Sequence, residues 1–318
     1  MKSIIFKKYH YKETVRRTYS SLKIMSIISV FLTISGCMTA GPDYVKINPE
    51  AADKWHTQLK GGLSKEVVNP ETLACWWTTL NDPVLSHIIK RALSGNLNLK
   101  GAVARIDEAR ALRGINRAGF FPLLDTDASA TKYQDSKNSD NRNRDRLYAA
   151  GFDADWELDV FGGVRRSVEA ADANIEVAQE GLHDVLVNLQ AEVAINYVEV
   201  RTYQKRLAIT KANIKTQEEI LKLNRSLCKA GITNELTVHE SLYNLEHSRS
   251  LIPLLKTGLE AAKNRLAVLL GEKPGSIHEE LYAEKSIPVP PAMVAVGIPA
   301  ETLRHRPDIR RAERKERR

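Results

Sequence analysis

Cys37 is the residue best placed for covalent chemistry in this sequence. It closes the stretch FLTISGC, Phe31 to Cys37, where Ser35 and Gly36 give an enzyme access to the peptide bond before a nucleophilic thiol. After it the chain turns polar at once, as MTAGPDY. Cys75 and Cys228 lie in different segments without metal-ligand spacing. They define neither a zinc site nor a disulfide framework, and both are read as small core residues. His239 and His247 lie close to one face of a helix, but no third ligand accompanies them, so a surface pair is favoured over a metal site. No Gly-rich phosphate loop, Ser–His–Asp order or paired-carboxylate signature stands out, and no enzyme is expected.

The segment ahead of Cys37 explains its position. A long basic run precedes the mostly apolar residues Ile24–Ile34. That run is too short to span a bilayer as a helix, which needs about 20 residues, and it fits the apolar region of an export signal. The quartet Ile34-Ser35-Gly36-Cys37 resembles a bacterial lipobox, although leucine is commoner where Ile34 stands. The resemblance implies cleavage before Cys37 and a covalent diacylglycerol and N-acyl lipid on its thiol and new amino group. Met38 in place of aspartate implies, by the same resemblance, transport to the outer membrane. Two or three acyl chains, at about 0.8 kcal/mol per buried methylene, anchor a protein stably. The alternative is an ordinary signal peptide with a chance cysteine.

The net charge of +8 is concentrated at the two ends. Residues 1–23 carry seven Lys/Arg against Glu13 alone, and residues 304–318 carry eight against three acids. The body between them is slightly acidic, which argues against a nucleic-acid surface. Apolar residues make up 43% of the chain and aromatics only 6%, a balance that suits long helices better than a thick mixed core.

Those helices are legible in the spacing. Asn81 or Asp82 can cap a helix with Pro83 in its first turn. Apolar residues then recur from Leu85 to Leu112, with a break at Gly95-Asn96 and an end near Gly119, just before Pro122. The period changes in YAAGFDADWELDV, where Tyr148, Phe152 and Trp156 share one strand face and Asp153, Asp155 and Glu157 share the other. Leu124 to Thr131 alternates more weakly, and the polar run DSKNSDNRNRDR joins the two as a solvated loop. Such a hairpin suits a membrane barrel, with Tyr148, Phe152 and Trp156 facing lipid and Asp153, Asp155 and Glu157 facing a wet lumen. An amphipathic hairpin covering a soluble core, with a merely solvated acidic face, is the alternative. From Val168 to Leu189 apolar residues step by three and four, a coiled-coil seam. A helix from Val164 to Leu227 reaches about 96 Å. Gly231 supplies a tight turn, Thr233 or Asn234 a cap, and a second helix runs back from Glu235 to Leu270, kinked at Pro253. Aligning Leu303 with Leu93 places a second copy of the Leu93–Ala102 pattern at the end of the chain.

Together, GCMTAGPDY, WWTTLNDPVLSHIIKRALSGNLNLKGAVARIDEARA, GFDADWELDVFGGVRRSVEAADA, AEVAINYVEVRTYQKRLAI, GITNELTV, LAVLLGEKPG and GIPAETLRHRPDIRRAER resemble the outer-membrane-factor family, TolC-like exit ducts, and within it the NodT-type efflux lipoproteins. The resemblance implies a mainly α fold with a β-hairpin: a long antiparallel helical hairpin of a periplasmic α-barrel plus strands of an outer-membrane β-barrel. It implies a homotrimer, a periplasmic adaptor, an inner-membrane pump and no catalysis in the duct. It matches Gly231, Ile232 and Thr233 to the family's adaptor-contact turn, with a plain helix–helix turn as the alternative. No cofactor is implied apart from the lipid on Cys37.

The expected organisation is a signal peptide over 1–36, an anchored linker over 37–80, first tunnel helices over 81–119, a membrane hairpin over 120–160, a long helical hairpin over 161–271 and an equatorial linker with the start of a second repeat over 272–318. Family members carry two tandem repeats, whereas this sequence carries one and the first turns of another, which is read as truncation. The leading function is therefore a passive exit-duct component of a tripartite efflux system. A lipid-anchored periplasmic coiled-coil protein, a non-functional relic and a type I secretion duct are the alternatives.

Overall fold

The computed structural model describes residues 41–45, 52, 54–66, 70–134 and 144–316. Cys37 and the segment before it lie outside the described residues. In chain order the elements are β1 (Leu63–Ser64), α1 (Pro70–Ala74), a 3-10 turn (Trp76–Leu80), α2 (Pro83–Gly95), α3 (Leu97–Ala118), β2 (Leu123–Gln134), β3 (Arg144–Asp155), α4 (Gly163–Lys229), α5 (Glu235–Leu269), β4 (Val294–Ala295), α6 (Pro299–His305) and α7 (Pro307–Glu316). The chain divides into two compact units. One holds residues 107–176 with both chain ends, and the other holds 48–106 and 177–313.

The second unit contains the core. Trp77, Leu85, Ile88, Ile89 and Ala92 pack with Leu189, Val193, Ala194, Tyr197 and Val200 of α4, with Ala262 and Leu266 of α5, and with Leu270, Ile277 and Leu281. Of the seam expected over Val168–Leu189 only Leu189 enters this core, which α4 makes chiefly with the residues just beyond it, Val193 to Val200. Asp82, rather than Asn81, caps α2, accepting from the N–H groups of Val84 and Leu85, and Pro83 follows where no donor is needed. Helix α5 continues across Pro253, which the sequence marks as a kink. Cys75 is exposed and Cys228 half-buried, so neither is the core residue expected. Cys75 precedes the 3-10 turn, where its carbonyl is used by Thr78 while its side chain faces solvent.

Two backbones meet where α2 ends and α5 ends. Buried Asn96 donates to the Leu269 carbonyl at 2.8 Å and accepts from the Leu99 N–H at 2.9 Å, joining α5 to the start of α3. Gly271 takes φ +71°, and a Cβ there would collide with the Gly95 carbonyl oxygen. Gly271→Ala therefore adds a left-handed strain of about 1–2 kcal/mol to a backbone clash. The urea midpoint of this variant is expected to fall by the equivalent of about 2 kcal/mol or more, whereas Gly275→Ala, with open space around it, loses only the strain part.

Arg91 ties α2 to the chain after α5. One guanidinium nitrogen donates to Glu272 at 2.6 and 2.7 Å and another to Glu280 at 2.5 Å. The Arg91 hydrogen bond, opposed by burial, holds the Glu272 carboxyl below its usual range. A carboxyl depressed in the folded state stabilises above its unfolded pKa and loses that contribution as pH falls through the folded value. Stability is therefore expected to decline below about pH 4.5 through this pair. Arg91→Met should lower stability at neutral pH by about 1 kcal/mol, the groups being nearly a third exposed, and flatten the acid slope. Urea melts between neutrality and pH 3, about the limit of carboxylate titration, check this.

A polar network lies inside the same unit. The Tyr197 hydroxyl donates to Asp82 at 2.6 Å, and Arg201 donates to that hydroxyl at 3.2 Å. Arg201 also donates to Gln204 and to the Ala283 carbonyl, both at 2.8 Å, and Gln204 donates to the Leu281 carbonyl at 2.6 Å. The guanidinium is 0% exposed and lies 4.9 Å over the Tyr197 ring. Burial, reinforced by Asp82, pushes the Tyr197 hydroxyl up to about 12.

Two short segments distant in sequence close this unit. β1 and β4 pair in parallel, Leu63 with Val294 and Ser64 with Ala295, inside stretches that the sequence presents only as linkers. The Trp55 indole donates to the Gly297 carbonyl at 2.9 Å. The helix break at Arg306 falls at the register of the break at Asn96 in the Leu303–Leu93 alignment.

Candidate functional site

The hairpin belongs to the first unit, and its register sorts its side chains. Directly opposed residues of an antiparallel pair share a face. Leu124 opposes Ala154, Thr126 opposes Phe152, Ala128 opposes Ala150 and Ala130 opposes Tyr148. This face carries no charge over those four pairs, yet Phe152 is 82% exposed and Tyr148 70% exposed. On the other face Asp125 opposes Asp153, Asp127 opposes Gly151 and Leu123 opposes Asp155. Like charges directly opposed are destabilising unless water screens them, so the acidic face has to be wet.

The strands differ from the expected limits in two places. β3 ends at Asp155, so Trp156 and Glu157 lie just beyond the strand on which their alternation placed them. The cause is Pro122. It is the residue that would oppose Trp156, and it has no N–H to donate to the ladder. At the other end, Tyr133 and Gln134 extend β2, and Arg144 to Arg146, expected in the loop, pair back onto them. Lys132 opposes Arg146.

Asp159 then starts the long helix. Its carboxylate accepts from the N–H groups of Val164 at 3.1 Å and Arg165 at 2.9 Å. Near this end Arg113 of α3 bridges to Asp172 of α4 at 2.5 Å. No described helix is long and apolar enough to cross a membrane, a statement that does not bear on strands.

The tip of the helical hairpin is built from hydrogen bonds. The Gly231 N–H donates to the Cys228 carbonyl at 3.0 Å and the Ile232 N–H to that of Leu227 at 2.9 Å, with Gly231 at φ +72°. This is a glycine helix stop that closes the last carbonyls of α4. Asn234 caps α5, accepting from the Thr237 N–H at 3.1 Å. Thr233 is half-buried and donates to the Thr237 hydroxyl at 3.1 Å. Ile232 is 72% exposed, and a Cβ at Gly231 would meet nothing within 4 Å. Gly231 is therefore required by its backbone angle and not by a crowded neighbour within the chain. Asn224 and Ser241 join the helices below the tip at 2.7 Å. On α5, exposed Leu236 and Tyr243 border a shallow groove with His239, Glu240 and Asn244, and Tyr243 stacks on His247.

The Arg201 network and the Arg91 cluster escaped the reading of the sequence, although one signal for the first was present. Arg201 stands four residues after Tyr197 and directly after Val200, within the apolar stripe.

Comparison with known proteins accounts for this arrangement. The family described as "Outer membrane efflux protein" matches residues 88–272, more than half of the chain. Nodulation protein T of Rhizobium leguminosarum bv. trifolii is 32% identical over 284 residues, covering 89% of this chain and 59% of that protein. The toluene efflux pump outer membrane protein TtgF of Pseudomonas putida is 28% identical over 294 residues, covering 90% of this chain and 60% of that protein. The chain thus spans about three fifths of the length of these relatives. Among solved structures, the outer-membrane channel OprN is 33% identical with a TM-score of 0.75, over 87% of this chain and 62% of that one. CusC, at 22% identity and a TM-score of 0.66 over 87% of this chain and 61% of that one, is a likeness in fold alone. The chain belongs to the outer membrane efflux protein family.

Proposed function

We propose that this protein is a component of a passive exit duct in the outer membrane, working with a periplasmic adaptor and an inner-membrane pump to release small molecules. The observation that carries the reading is the hairpin with one uncharged exposed face and one acidic face, set between long helices of an efflux family. An isolated hairpin cannot sit in lipid, because each outer edge leaves backbone groups unpaired. Closure has to come from other chains, and a homotrimer is the family's form. In this reading Tyr148 and Phe152 face lipid with Trp156 at its border, and Asp153, Asp155 and Glu157 face the lumen and favour cations. Cys37 carries the lipid anchor and supplies no chemistry to transport. Gly231, Ile232 and Thr233 form the turn that meets the adaptor, with exposed Ile232 as its apolar contact.

Genetics tests the role. Deleting this gene, its pump partner or both is expected to raise sensitivity to the exported compounds to the same degree. A sensitive pump deletion beside an unaffected deletion of this gene would exclude the duct role.

A further inference from the structure

The apolar face of the hairpin ends on a pair of cations. Continuing the same face beyond Ala130 and Tyr148, the next opposed pair is Lys132 and Arg146. Both side chains are exposed, and neither has an ion-pair partner among the described residues. Two like charges directly opposed on a ladder repel unless water or an anion screens them, and on a face turned to lipid an anion is the available partner. The four pairs below offer none, since that face is uncharged from Leu124 to Tyr148. Asp125, Asp127, Asp153 and Asp155 alternate onto the opposite face.

Depth identifies where that anion resides. Ten residues separate Trp156 from Arg146. At about 3.4 Å per residue along the strand and a tilt near 40°, that is about 26 Å along the membrane normal, close to the ~25 Å apolar band of outer-membrane barrels. With Trp156 at one interface, Lys132 and Arg146 stand at the other, at headgroup level. They lie at the loop end of the hairpin, away from the strand ends that join α3 and α4. If the helices are periplasmic, this end is the outer leaflet.

We propose that Lys132 and Arg146 form a binding site for a net-anionic, phosphomonoester-bearing lipid headgroup of the outer leaflet, clamped from the lipid side at the rim of the barrel. The proposal rests on the membrane reading of the hairpin. The guanidinium can take two phosphate oxygens in parallel while the ammonium acts as a point charge on a third.

The test uses the purified acylated full chain in detergent, titrated by native mass spectrometry with bisphosphorylated lipid A and, separately, with phosphatidylcholine. At about 1 kcal/mol per cation, lipid A is expected to bind roughly tenfold to thirtyfold more tightly. Lys132→Gln with Arg146→Gln should bring that ratio to near one. The swap Lys132→Arg with Arg146→Lys should retain it, which separates loss of charge from loss of fold. Millimolar inorganic phosphate should not compete, and full competition would overturn the lipid assignment in favour of a free-anion site. A preference that survives the double glutamine variant overturns the proposal while leaving the membrane hairpin standing. If the membrane reading itself is wrong, the unaltered chain shows no preference and Phe152→Arg changes neither value, and the proposal falls with it.

Discussion

Phe152→Arg is expected to abolish channel formation while leaving the protein attached to membranes. Phe152 lies four residues from Trp156 and six from Arg146, near the middle of the uncharged face. A cation on the lipid face at that depth costs about 2–4 kcal/mol per chain, and a closed oligomer pays it once for every copy. In the proposed reading the lipid on Cys37 anchors the chain independently of the strands, so the variant should still sediment with membranes. Protease resistance of the strands β2 and β3 should disappear. Asp153→Asn, on the acidic face, is the matched control and should preserve that resistance, because it removes a repulsion with Asp125. Equal protease sensitivity of the natural chain and Phe152→Arg in membranes would contradict the assignment of the faces.

The second large effect is expected at Arg201. Its guanidinium holds the Tyr197 hydroxyl, the Gln204 side chain and the Ala283 carbonyl at once, fully out of water. Arg201→Ala takes the donor from the buried Tyr197 hydroxyl and Gln204 oxygen and from the Ala283 carbonyl, and opens a cavity beside Val200 and Tyr197. The expected loss is about 3–5 kcal/mol, a large part of a domain's stability. Tyr197→Phe removes both the donation to Asp82 and the acceptor of the Arg201 Nε, yet leaves the rest of the guanidinium contacts, and should cost about 1–3 kcal/mol. Urea melts followed by the helical signal separate the two. An Arg201→Ala midpoint within error of the natural chain would show that the network is incidental. Arg201 is also the α4 cation whose charge is farthest from water, with Asp82 reached only through Tyr197.

Much of this was legible in the residues, and the failures have physical causes. Alternation from Tyr148 onward marks both the strand and its two faces. It overruns the strand's end because alternation records where side chains point and not whether the neighbouring strand can donate, and Pro122 cannot. The polar run 135–146 conceals three strand residues, since polarity carries no information about register. The β1–β4 pair spans two residues on each side, too short for any period, and joins segments separated by most of the chain. The Gly231 turn and the Asn234 cap were readable because helix ends have strict chemical demands. Arg201 is of a residue type seldom fully buried, so its type alone conceals its place. Its position one helical turn after Tyr197, on the buried stripe, was the available clue.

The central claim is that copies of this chain close a water-filled pore around their acidic strand faces. Planar-bilayer recording of the purified, acylated protein tests it most directly. The account predicts discrete, cation-favouring current steps from the natural chain and none from Phe152→Arg. A natural chain that is fully folded and membrane-bound, yet passes no current at any protein density, would contradict it.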